Sequence, residues 1–424
     1  MQLKPAKYFG WVVTAAGLVL MAFSMGIVSN CYSVYTIPVT SDMGYTREEF
    51  SFSQTLIFIG MMLMTSSVGL VIKKFGLIGT IRRAAFLVPG IYFLYSVTSA
   101  SWQFCLVSFL IGAMLPLITT VPLSMLTGEW FKKNAGFALG IIMMGSGIGG
   151  MIFNPVISAL VQDNGWRFAF RFTALLMLLV MVPVSFLAIK NGPYSSERKT
   201  SGEKEKAEKE TAEEKTPEKA EDGPKFADTI RTRRFRIFMI LAVIVGAGTY
   251  SIINFTATYL QDAGYTPSFA AGVASASMAG LAVGKPLLGR IYDRTGLRKT
   301  IFIGTLFIII AEAAFYMIQY RTVIPAAVLG VMIGCPLGTI AAPIITRDIF
   351  GNRDFGMKCG LLVSCGNLGA AFTPVFAGEL YKKTGSFRLM FLLIAMLVLI
   401  ALFGYLVLLP KEKNERRRTK HVSD

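Results

Sequence analysis

Long apolar runs alternate with short polar stretches along most of this chain. Runs of spanning length fall near residues 9–38, 49–72, 81–99, 102–127, 134–160, 167–189, 235–260, 267–292, 300–319, 323–346, 355–380 and 387–409. A bilayer core about 30 Å thick takes about 20 apolar residues of helix to cross. Helices are the only open-chain way to span lipid with every backbone group satisfied. The pattern therefore predicts an all-α membrane protein with twelve transmembrane helices. The first run is too long for a signal peptide and ends in no small-residue cleavage site, so it is read as a retained span.

The pattern fails between residues 191 and 233. The stretch NGPYSSERKTSGEKEKAEKETAEEKTPEKAEDGPK has almost no apolar residue, and its lysines and glutamates nearly balance. Such a segment buries no core and reads as a solvated linker. It separates a first unit of six spans (1–190) from a second (234–410), and a basic tail follows (411–424).

The halves match in fixed register. Gly69, Gly76, Pro116, Gly136, Gly140, Gly149 and Gly165 correspond to Gly289, Gly296, Pro336, Gly356, Gly360, Gly369 and Gly385, each a constant 220 positions on. DMGYT from Asp42 pairs with DAGYT from Asp262 at the same spacing. A gapless set of this kind indicates two homologous units. Six spans return the chain to its starting side, so the units share one orientation and are related by an axis along the membrane normal.

Charge sets the expected topology. The loops KKFGLIGTIRR from Lys73, EWFKKN from Glu129, DRTGLRK from Asp293 and RDIFGNRDFGMK from Arg347 are basic, and the alternate loops are poorer in Lys and Arg, with Lys382 and Lys383 as the exception. Basic loops stay in the cytoplasm, which puts both termini inside a cell membrane. The formal charge of +17 then reflects topology rather than nucleic-acid binding. The five cysteines lie in apolar runs without metal spacing, and the one histidine, His421, lies in the tail. No nucleophile–base pair, metal-ligand set or Walker motif is present, so neither an enzyme, a cofactor nor ATP-driven pumping is expected.

Candidate chemistry centres on Lys285 in AGLAVGKPLLGRIYDRTGLRK. It lies eight residues before Asp293, hence about 12 Å deeper along a helix. A cation at that depth is expensive unless it faces a water-filled cavity or a partner, so it marks a functional site. Glu312 in FIIIAEAAFYMIQY is the clearly intramembrane carboxylate. It is a candidate for proton coupling or a buried acid near the outer end, within reach of Arg321. Asn30, Tyr250, Asn254 and Asn367 are polar groups inside apolar runs, open to cavity lining or interhelical hydrogen bonding. The glycines of spans five and eleven suit close helix packing, and Pro116, Pro122, Pro336 and Pro343 suit kinks.

GRIYDRTGLRK, with Gly289, Asp293, Arg294, Gly296 and Arg298, resembles the cytoplasmic signature of the major facilitator superfamily. The resemblance implies two pseudo-symmetric six-helix bundles that rock about a central site, with this loop latching the cytoplasmic side. The first-half copy, GLVIKKFG, departs from it: Lys73 stands where the signature has Asp, which puts the first-half latch in doubt. GW at Gly10, FSMG at Phe23 and GKPLLG around Lys285 resemble the monocarboxylate-transporter and oxalate–formate-antiporter group. There a cation in helix eight binds the substrate carboxylate. The acid that group places one turn earlier is Leu281 here, its span-one lysine is Ser29, and the oxalate exchanger's second cation is replaced near Asn367 by SCGNLG. One cation rather than two points to a monoanion. The resemblance also implies that spans one, seven and eleven line the cavity, that span nine is peripheral, and that spans five and eight, and two and eleven, pack together.

The expectation is a monomeric secondary transporter of a small organic anion, by H⁺ symport or exchange, held on Lys285. A drug or sugar exporter and a non-transporting sensor of the same fold remain alternatives.

Overall fold

The computed structural model describes residues 4–44, 47–193 and 223–409. Most of the predicted linker and all of the tail, with His421, lie outside the described residues, as do Tyr45 and Thr46 of the first repeat. Among the described residues twelve helices are long and apolar enough to cross a membrane. In chain order these spans are Tyr8–Gly26, Phe52–Phe75, Leu77–Val97, Ser101–Trp130, Ala135–Asn164 and Trp166–Leu187, then Arg233–Asp262, Ser268–Thr295, Leu297–Tyr316, Arg321–Phe350, Phe355–Thr384 and Arg388–Leu408.

The side chains form two apolar cores. One joins spans one to six and the other spans seven to twelve, with Phe355 and Cys359 of span eleven reaching into the first. The repeat is structural as well as sequential. Gly76 and Gly296 turn the chain after spans two and eight with φ of 74° and 79°, a region that glycine enters without strain. Asn134 and Asp354, before spans five and eleven, share a positive φ of 63° and 50°.

The halves meet through backbone brought close by glycine. A Cβ on Gly140 of span five would lie 2.5 Å from the Lys285 carbonyl oxygen and from Pro286 Cα in span eight. At the matching place, a Cβ on Gly360 of span eleven would strike the Thr65 carbonyl of span two. Span five thus packs on span eight and span two on span eleven. These contacts crowd the end of the molecule that carries Lys73 and Asp293, called the basic face below.

Spans one, four and ten are not continuous helices. Span four breaks at Leu115–Leu117 and span ten between Gly334 and Leu337, so Pro116 and Pro336 mark matching interruptions. The first run, expected as one helix over 9–38, is α-helical to Met21, passes through a π turn at Ala22–Gly26, and loosens before a 3₁₀ turn at Tyr32–Tyr35. Its apolar pattern persists through the break because Cys31, Tyr32 and Tyr35 remain buried. Hydrophobicity therefore carried no sign of it.

Candidate functional site

A cavity of about 1130 Å³ lies between the halves. Its wall on span eight runs from Ala274 to Lys285, and on span five from Met144 to Pro155. On these two spans the wall ends at Lys285, next to the Gly140 contact, while in the second half it continues toward the basic face to Phe238, Ile345 and Tyr405. Ser29, Asn30, Tyr250, Asn254 and Asn367 all line the same cavity, so the structure brings together with Lys285 the polar candidates inside the apolar runs, Glu312 excepted. Gln54, Asn154, Thr249, Ser275 and Thr339 extend the polar lining, and the remaining wall is largely Met, Ile, Leu, Ala and Phe.

Lys285 is only 4% exposed. Its ammonium donates to the Met143 carbonyl at 3.0 Å and to Ser146 Oγ at 2.8 Å, both on span five of the other half. An ammonium has three donors, and these acceptors are neutral. Among the described residues no carboxylate pairs with Lys285, and none lines the cavity. Pro286 follows directly, so the Ala282 carbonyl in the cavity wall lacks its helical donor.

The other polar residues differ in what they are free to do. Asn30, at the break after span one, donates through Nδ2 to the Ser146 carbonyl at 2.8 Å and still faces the cavity. Asn254 donates to the Tyr250 carbonyl of its own helix at 3.2 Å. The Tyr250 ring meets Phe58 of the first half edge-on at 5.8 Å. Asn367 Nδ2 is buried in the cavity wall without a partner, an orphan donor whose isolation is costly unless a ligand meets it.

Glu312 departs from expectation. It is fully buried inside the second half, does not line the cavity, and bonds Ser251 at 2.7 Å. Its second oxygen has no partner. Arg321, expected within its reach, instead stacks on Phe269 at 4.7 Å. Span nine is peripheral to the cavity, yet this side chain points into the bundle.

The signature loop ties the halves at the basic face. Asp293 accepts the N–H groups of Gly136 at 2.9 Å and Phe137 at 2.8 Å, in the first turn of span five. A carboxylate there is favoured by the exposed N–H groups and the helix dipole. Arg290 reaches Asn134, Arg298 donates to the Leu409 carbonyl, Gly296 forms the turn and Arg294 is exposed.

The first half ties down in the opposite polarity. Lys73, standing where the signature has Asp, donates to Asp354 across the halves at 2.5 Å. The second oxygen of Asp354 accepts the Phe226 N–H at 3.0 Å. Burial pushes this carboxyl up, but the Lys73 and Phe226 bonds outweigh it and hold it below the ordinary aspartate range. A depressed folded-state pKa contributes stability above the unfolded value and loses it as pH falls through the folded one. The tie should therefore weaken only below about pH 4. The doubt raised by Lys73 is thus answered by a charge on the partner position. Lys73→Asp alone should set two carboxylates together and destabilise by about 1 kcal/mol, the scale of an exposed pair. Lys73→Asp with Asp354→Asn removes the like charges while keeping an acceptor for the Phe226 N–H and a residue that tolerates positive φ, and should recover part of the loss in a thermal melt.

Sequence reasoning missed Ser146 and Lys358. Lys358, read as part of a basic loop, is fully buried and donates to the carbonyls of Pro224 at 2.7 Å and Phe350 at 2.8 Å. Ser146 sat in a glycine-rich run read as packing. Its repeat counterpart is Gly366, and that mismatch was the available signal.

With this geometry in place, comparison with known proteins is informative. The profile of the Major Facilitator Superfamily matches residues 14–345 and 239–424. Monocarboxylate transporter 12 of Rattus norvegicus is 21% identical over 437 residues, covering 97% of this chain and 88% of that protein. Monocarboxylate transporter 2 of Homo sapiens is 22% identical, covering 98% and 91%. A crystal structure of the E. coli fucose:proton symporter superposes with a TM-score of 0.70 at 13% identity, over 95% of this chain and 99% of that one.

Proposed function

Since the chain belongs to the Major Facilitator Superfamily, we propose that it carries an organic monoanion, a monocarboxylate, across the cell membrane by alternating access. The observation that carries this reading is Lys285: a desolvated ammonium in the cavity wall, held by neutral acceptors, with a donor to spare. A carboxylate would supply the missing counter-charge and lower the cost of closing a dry site around both groups. Relatives named as monocarboxylate transporters support the same class. The cavity volume exceeds the needs of the smallest acids, so an anion with an apolar body fits its Met- and Ile-rich wall.

We place the basic face in the cytoplasm, with both termini, on the excess of Lys and Arg in its loops. The ties at Asp293 and Lys73 then latch the cytoplasmic side while the cavity serves the other. Monomeric action suits a site built wholly within one chain. Anion exchange is favoured over symport because among the described residues no acid lines the cavity and Glu312, the buried acid of span nine, stands apart from it.

Reconstitution tests the reading. Proteoliposomes should take up radiolabelled acetate, lactate, pyruvate or benzoate against an internal pool of the same acid, with little response to an imposed pH gradient. If the gradient drives uptake instead, Glu312→Gln should uncouple it. A drug or sugar exporter predicts that Lys285→Ala leaves transport intact. Deleting residues 201–221 should preserve uptake if the linker is a tether, whereas a non-transporting sensor would show no uptake at all.

A further inference from the structure

The polar groups around Lys285 converge on one residue, Ser146. Ser146 Oγ donates to the Met143 carbonyl at 3.1 Å and accepts from the Lys285 ammonium at 2.8 Å. Its main-chain carbonyl accepts from Asn30 Nδ2 at 2.8 Å. One residue of span five therefore holds a cation from span eight and an amide from the break after span one.

The proton count decides what remains. Lys285 uses two of three donors on Met143 and Ser146. Asn30 uses one of two amide protons on Ser146. Each group keeps one donor, and each is fixed on a different atom of the same residue. The surroundings leave room for this. A Cβ on Gly150, one turn along, would lie 3.0 Å from Asn30 Cβ and 3.2 Å from its Nδ2. The break that frees Asn30 is held by the Ser29 and Asn30 N–H groups, which both bond the Met25 carbonyl.

We propose that Ser146 is the positioning residue of a carboxylate head-group site, aiming the free proton of Lys285 at one oxygen of the anion and the free proton of Asn30 at the other. The proposal rests on the reading of the cavity as an organic-anion site and locates the head group within it. The site is one-sided by construction. In the repeat, Ser146, Lys285 and Asn30 correspond to Gly366, Thr65 and Tyr250, so the second half's span eleven cannot build its mirror image. A single head group per cycle follows.

The test compares uptake of radiolabelled pyruvate and benzoate by wild type, Ser146→Ala, Ser146→Thr and Ser146→Asp in proteoliposomes. Ser146→Ala should raise KM about tenfold for both acids, the scale of losing a hydrogen bond to a charged group, with a smaller change in Vmax. Ser146→Thr keeps the hydroxyl and should stay near wild type. Ser146→Asp places a permanent carboxylate on the ammonium and should abolish uptake while the protein remains monodisperse with an unreduced melting temperature. If the alanine variant does not fold, the isosteric Thr and Val variants carry the same comparison. An unchanged KM in Ser146→Ala, equal defects in the Ala and Thr variants, or normal uptake by Ser146→Asp overturns the proposal alone. Wild-type protein that carries no carboxylate overturns the parent reading, and this one with it.

Discussion

Lys285→Gln should reduce carboxylate uptake about a hundredfold or more, equivalent to roughly 3 kcal/mol. Glutamine roughly preserves side-chain length and can still donate to Met143 or Ser146, so the loss isolates the charge. The effect is large because the ammonium is nearly free of water and, among the described residues, has no carboxylate of its own. Electrostatic attraction across such a site is screened little. Lys285→Arg keeps the charge but brings a wider, planar group into a site fitted to an ammonium by the Met143 carbonyl and Ser146 Oγ. It should recover only part of the uptake. Initial rates over a range of pyruvate concentrations, with melting temperatures for each variant, check both results.

Gly136→Val and Gly289→Val should each lower transport more than tenfold by keeping the basic face from closing. A Cβ on Gly136 would lie 2.7 Å from the Gly289 carbonyl oxygen, 2.5 Å from the Tyr292 ring and 3.0 Å from Asp293 Oδ1. A Cβ on Gly289 would strike the Gly136 carbonyl in return. A backbone carbonyl faces the added Cβ at both positions, so a side-chain shift alone cannot relieve the clash. Overpacking of this kind costs about 1–3 kcal/mol or more, and here it falls on the closed state alone. It also displaces the two N–H groups that Asp293 accepts. Gly378→Ala, in open space on span eleven, is the matched control. Labelling of a cysteine introduced at Met144, in a background without the five native cysteines, should become possible from the basic face in the valine variants only.

How far the sequence foretold these features depended on the distance between interacting positions. The spans were legible because burial in lipid imposes a continuous apolar run, and the two-unit plan because equivalent turns need glycine at equivalent places, as at Gly76 and Gly296. The break after span one was not, since its residues stay apolar while the backbone changes course. The Lys73 tie was hidden for another reason. Compared with its signature, position 73 looks like a loss. Compared with its spatial partner, it is a charge exchange, because the acid absent at 73 stands at 354. Contacts between halves join residues hundreds of positions apart, and a motif read one copy at a time does not show them. Ser146 was obscured by its neighbours: among Gly145, Gly147, Gly149 and Gly150 a serine reads as one more small residue. Its meaning came only from the cation that another span sets against it. Glu312 was correctly seen as buried, but the partner predicted from nearness in sequence, Arg321, lost to Ser251 across the bundle.

The central claim is that the cavity recognises negative charge through one ammonium. Competition between a carboxylate and its own amide tests this most directly. Benzoate and benzamide share a ring and nearly a shape, and differ in charge. In proteoliposomes exchanging radiolabelled benzoate, unlabelled benzoate should inhibit wild-type uptake fully while benzamide at the same concentration leaves it unchanged, and in Lys285→Gln the distinction should vanish with the uptake itself. Equal inhibition by the two compounds in the wild type, or full benzoate exchange by Lys285→Gln, would contradict the account.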